Sequence, residues 1–87
     1  TMDTDVQAIK CLTGSEAEVL EFVVKPDAPI TKSTLRHAGF PDNAIIGGIV
    51  RGDKVFIPDA DFRINAYDRA VVFSLPGAIP KIGKYFN

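Results

Sequence analysis

A catalytic pair in this chain would have to come from a short list. Ser15, Ser33 and Ser74 are its serines, His37 its one histidine and Cys11 its one thiol. A hydroxyl or thiol nucleophile needs a base within hydrogen-bond reach. No serine here sits in a Gly-x-Ser-x-Gly elbow: Ser15 follows Gly14 but has no glycine at the second spacing. His37 stands beside Arg36 in a short polar stretch, where a single histidine is ordinarily a surface or polar packing residue rather than a general base. One histidine and one cysteine supply no Cys-x-x-Cys or His-x-x-x-His ligand pair, and a lone thiol forms no internal disulfide. Asp59-Ala60-Asp61 starts like a calcium loop, but the glycine due at its sixth position and the acid due at its twelfth fall on Ile64 and Ala70. These acids read as turn-closing and capping groups, and the chain reads as a non-enzyme.

Two further features bear on binding. Gly47-Gly48 lies inside an apolar run, with no Gly-Lys-Ser/Thr after it and no Gly-x-Gly-x-x-Gly anywhere, so it cradles no phosphate. Glycine inside a strand marks a bulge or the close approach of another backbone, and a partner subunit is one source of that approach. Arg51, Arg63 and Arg69 fall at strand ends, where a guanidinium can grip an anionic ligand with two parallel bonds. Their bland alternative is pairing with the nearby Asp53, Asp61 and Asp68.

The elements that would position these groups fit one small domain, since the chain has 87 residues. With 46% hydrophobic and 24% charged residues it has a globular composition. A net charge of −1 gives no excess to hold nucleic acid or an anionic membrane. The longest apolar run, Ala44–Val50, is far short of the ~20 residues that span a bilayer. Thr1-Met2-Asp3-Thr4-Asp5 has no basic stretch followed by an apolar one, which predicts no signal peptide. A start of Thr before Met reads as a piece cut from something larger.

Residues 1–14 read as an incoming segment or linker from a preceding domain, with a helical turn suggested by Val6, Ile9 and Leu12. The domain proper is expected over 15–87. Its first strand is Glu18–Lys25, rich in β-branched and aromatic residues and stopped by Pro26. A short helix is predicted from Thr31 or Ser33 to Ala38, with Gly39 as its stop. Ala44–Val50 and Lys54–Ile57 flank Gly52-Asp53 and predict a hairpin. Phe62 and Ile64 alternate with polar residues, predicting a very short extended piece, and Ala70–Leu75 is a further strand. Ile79, Ile82 and Phe86 share one helical face, and Pro80 places that helix's first turn near Ile79. Clustered strands with few helices predict an α+β fold with a small, mostly antiparallel sheet, a short helix after strand 1 and a C-terminal helix.

The span from Ser15 to Phe86 resembles the TrkA C-terminal (RCK_C) domain family. The strongest stretch is Asp42 through Pro58, similar to the family's "Ala-x-Ile-Gly-x-Ile-x-Arg" strand, Gly-Asp turn and "Val-x-Ile-Pro" strand. Phe62 through Phe73 resembles "Leu-x-Ile-x-x-Gly-Asp-x-Val-x-Val-Phe", and Ile79 to Phe86 the family's terminal helix. Tyr67 stands where the family has glycine, which predicts a different backbone shape in the turn before Asp68.

The resemblance implies a cytoplasmic regulatory domain of a potassium uptake system, held at the inner membrane by its transporter subunit. It implies a homodimer, with a small nucleotide regulator bound between subunits in some members; a purely structural dimerisation module is the alternative. His37, Asn43 and Arg51 are the expected ligand-binding residues, and Gly47 and Gly48 the expected dimer or close-packing positions. Members that bind cyclic di-AMP carry Asp-x-Arg in the short helix and Asn-Ile before the next strand. Here His37 to Ala44 reads His-Ala-Gly-Phe-Pro-Asp-Asn-Ala, without the Asp-x-Arg. No cofactor is expected in this chain. NAD(H) belongs, by the resemblance, to a preceding Rossmann domain, and neither a metal nor nucleic acid is expected to bind.

Overall fold

The computed structural model describes residues 17–87. The expected incoming segment over 1–14, with Val6, Ile9, Cys11 and Leu12, lies outside them, as does Ser15. Four strands form one sheet: β1 (Glu18–Val23), β2 (Ala44–Arg51), β3 (Lys54–Phe56) and β4 (Arg69–Ser74). Their order across the sheet is β1-β4-β2-β3, and every pairing is antiparallel. Among the described residues one α-helix, α1 (Ile79–Phe86), follows the strands and packs on one face of the sheet. This is the small antiparallel α+β arrangement that the clustered strands predict.

Strand alternation divides the sheet into two unlike faces. On the inner face Ile49, Ala70 and Val72 are fully buried, with Leu20, Phe22, Ile46 and Phe56 packed around them. The helix adds Ile82 and Phe86, both without exposed surface, so its periodic apolar stripe is core rather than interface. The Phe86 ring stacks on Phe22 at 4.7 Å and meets Phe40 edge-on at 6.0 Å. The last helical residue also ties down the first strand, because the Lys25 N–H donates to the Phe86 carbonyl at 2.9 Å.

The hairpin forms where expected. Arg51 pairs with Lys54 across a two-residue turn whose Gly52 holds φ of 61°. Positive φ at the first central residue alone is the type II′ pattern, and glycine adopts it without a Cβ penalty.

Two local expectations are corrected. The short helix after β1 is two separate 3-10 turns, Pro29–Lys32 and Leu35–His37. Extended backbone at Ser33 and Thr34 interrupts them. Runs this short close more readily with the tighter i→i+3 bond. The segment around Phe62 and Ile64 forms no strand. Its carbonyls serve the second 3-10 turn instead: Leu35 N–H donates to Phe62 O and Arg36 N–H to Ala60 O, while Ile64 is buried in the core. Tyr67 holds φ of 69°, in the left-handed region that glycine enters freely and a tyrosine rarely does. The Asp68 N–H donates to the Asn65 carbonyl and closes the turn, and the strain falls on the tyrosine.

Candidate functional site

The expected binding residues divide between the two ends of β2. Asn43 precedes it and Arg51 is its last residue. Eight extended steps of ~3.3 Å put them about 25 Å apart, too far to share a small ligand within one subunit.

At the entry end, His37 closes the second 3-10 turn and is exposed, as is Asn43. The connection between them is pinned to α1: the Tyr85 hydroxyl donates to the Gly39 carbonyl at 2.8 Å, and the Phe40 ring meets Tyr85 at 5.2 Å. The Asn43 carbonyl accepts the Leu75 N–H at 3.0 Å, which fixes the backbone while its side chain stays in solvent. Two exposed polar side chains thus stand on one anchored loop.

At the exit end, Val50 pairs with Arg69, so Arg51 and Asp68 form the next rung. The Arg51 Nε–H and Nη2–H donate to the two Asp68 carboxylate oxygens, each at 2.8 Å. The Asn65 N–H donates a third bond to Asp68 at 2.8 Å. The guanidinium lies 5.1 Å from the Phe56 ring centre and 5.3 Å from that of Phe62. Burial by itself would raise the Asp68 carboxyl; the bonds from Arg51 and the Asn65 N–H outweigh it and hold the acid below its ordinary range. The same pairing raises Arg51. Any anion approaching Arg51 therefore competes with a buried carboxylate already in place.

The bland reading of the arginines holds for Arg51, which pairs with one of the nearby acids, and fails for Arg63 and Arg69. Arg51 takes Asp68 rather than Asp53, Arg69 takes Glu21, and Asp61 is taken by Arg36. Arg63 donates to the Thr31 carbonyl.

In mid-strand the β2–β4 register shifts between Ile46 and Gly48. Gly47 is the extra residue of this bulge, and the close approach comes from Phe73 of the neighbouring strand. A Cβ on Gly47 would lie 2.8 Å from Phe73 Cδ2, well inside contact distance. Gly48 is looser: a Cβ there would meet only the Phe56 carbonyl, at 3.9 Å.

The outer sheet face carries no helix or loop among the described elements. Its first row across the strands is Val19–Phe73–Ile45, its second Glu21–Val71–Gly48 and its third Val23–Arg69–Val50–Val55. Val19, Val23, Ile45 and Val55 are each at least 50% exposed, an unusual clustering for a solvated face. The charged pair on it is Glu21 with Arg69, at 3.1 Å.

The TrkA-C domain family model matches residues 19–87. The chain belongs to the TrkA-C domain family. The chain is 35% identical to the Trk system potassium uptake protein TrkA homolog 1 of Methanosarcina mazei, over all of the chain and 19% of that protein. Homolog 2 of the same organism is 31% identical over the same span. The Archaeoglobus fulgidus TrkA homolog is 40% identical over 79 residues, 18% of its length. This TrkA-C domain thus spans about a fifth of the curated relatives it matches. A solved structure described as an RCK domain with cda superposes with a TM-score of 0.68 at 17% identity, covering 79% of this chain and 97% of that one. That likeness shows the RCK fold. Among the described residues no helix is long and apolar enough to cross a membrane.

Sequence reasoning named Arg51 as a ligand-binding residue and gave Asp68 only as one of three nearby acids that could pair with the strand-end arginines. Asp68 had a readable signal, since it opens the apolar strand Ala70-Val71-Val72-Phe73, and an acid buried at such a start needs a cation.

Proposed function

We propose that this TrkA-C domain is a cytoplasmic regulatory module of a potassium uptake system, working as a homodimer beside a membrane transporter subunit. The observation that carries the reading is the family match over residues 19–87, together with the three relatives above, each described as a Trk system potassium uptake protein TrkA homolog. In this reading a small nucleotide regulator binds where His37 and Asn43 stand exposed on their anchored loop. A ligand with different affinity for two arrangements of the subunits shifts the dimer between them, and that shift reaches the transporter. In this family reading NAD(H) binds in a Rossmann domain of the intact protein and not in this chain, whose sequence carries no dinucleotide fingerprint. The missing Asp-x-Arg and the exposed apolar sheet face favour a second reading, a dimerisation module without a ligand.

A thermal-shift panel of cyclic di-AMP, other nucleotides, NADH and cations on the purified chain separates the two. A ligand at about one hundred times its dissociation constant stabilises the folded state by ~2.7 kcal/mol. The regulatory reading expects a clear shift with one nucleotide, lost in His37→Ala or Asn43→Ala. A dimer that no compound shifts supports the structural module.

A further inference from the structure

We infer that the outer sheet face is the homodimer surface, packed face to face against the same face of a second copy. The inference rests on the homodimer part of the proposed function and assigns it a surface. Three observations carry it. The first is composition: Val19, Val23, Ile45 and Val55 stand at least half exposed on the same face of three of the four strands. Apolar sheet faces of this kind pack against one another ~10 Å apart.

The second is charge. Glu21 and Arg69 interrupt the apolar surface, side by side and of opposite sign. A partner of one charge sign would leave one of them opposed to its like. A second copy matches both: a twofold axis running between the sheets and bisecting the pair sets Arg69 over the partner's Glu21 and the reverse. That self-matching is what an isologous interface requires.

The third is relief. Gly48 has no side chain, and the bulge at Gly47 lets the Phe73 ring lie down over the strand. The middle of the face is therefore low rather than crowned.

The size of the face sets the strength. Four strands ~4.8 Å apart and about six residues long give a footprint of roughly 300 Å², under half the ~800 Å² per partner of a standard interface. A dimer that dissociates on dilution is the expected behaviour.

The test is sedimentation velocity on the full chain over a wide concentration range, for wild type and for Val19→Lys/Ile45→Lys. Both positions are already half exposed or more, so the fold should survive, and a thermal melt checks it. The wild type should dimerise, and the double variant should need at least tenfold higher concentration to do so. Glu21→Arg should weaken the dimer, and Glu21→Arg/Arg69→Glu should restore it. A wild-type dimer unaffected by the lysines overturns this surface and leaves the homodimer reading intact. A wild type that is monomeric throughout overturns both. If the lysine variant unfolds, methyl NMR of the wild type decides: the Val19 and Ile45 signals should move on dilution while the Ile82 signal stays fixed, and unmoved Val19 and Ile45 signals overturn the assignment.

Discussion

Asp68 receives the Arg51 guanidinium as a fork, with Nε and Nη2 each 2.8 Å from a different carboxylate oxygen. The acid is 1% exposed and the arginine side chain 35% exposed. This rung joins the end of the hairpin to the start of β4, and the rings of Phe56 and Phe62 flank it. A planar fork suits this geometry in a way that a lysine ammonium does not.

The pair makes the domain acid-labile in a defined window. The unfolded Asp68 carboxyl titrates near 3.8, and the folded one titrates lower. Its stabilising contribution is therefore complete above about pH 4 and is lost as the pH falls through the folded value. Asp68→Asn should lower stability by about 2–3 kcal/mol at pH 7, less than a fully buried pair because water reaches Arg51. The same variant should lose less stability than wild type between pH 5 and pH 2. Urea melts at several pH values measure both effects.

The two central glycines should respond differently to alanine. Gly47→Ala places a methyl inside the Phe73 ring and should cost about 1–3 kcal/mol as that ring is displaced. Gly48→Ala meets only ordinary contact and should change stability by less than about 1 kcal/mol. Equal losses in thermal melts of the two variants would contradict the bulge geometry.

Tyr67 offers the opposite outcome. It holds φ of 69° and is 73% exposed, so it bears strain with little packing in return. Tyr67→Gly should stabilise the isolated domain by roughly 0.5–1 kcal/mol, raising the midpoint by a few degrees. A lower midpoint would mean that the ring contributes more to the fold than its exposure suggests.

Legibility in the sequence followed the range of the interaction. The Gly52-Asp53 turn and the helix from Ile79 were readable, because the residues that decide them are neighbours. The partner of Arg69 was not, since Glu21 comes beside it only through the order β1-β4-β2-β3, and the same order singles out Asp68 for Arg51 from among the nearby acids. The broken helix after β1 was hidden for a related reason. Its backbone donors at Leu35 and Arg36 find acceptors at Phe62 and Ala60, and that distant loop decides the local shape. Of the expected site, the positions of Gly47 and Gly48 in a strand were legible. The separation of Asn43 from Arg51 follows from the length of β2 and could have been counted.

The bond from Lys25 to Phe86 has a mechanical consequence. Strand β1 lies along β4 over six matched residues, and just beyond it the same chain is fastened to the last turn of the helix. Force arriving at Glu18 along the strand direction loads that whole ladder at once, in shear, instead of peeling it one rung at a time. A pull or twist from whatever precedes β1 is then carried by the domain as a body, and movement appears at its boundaries rather than inside it.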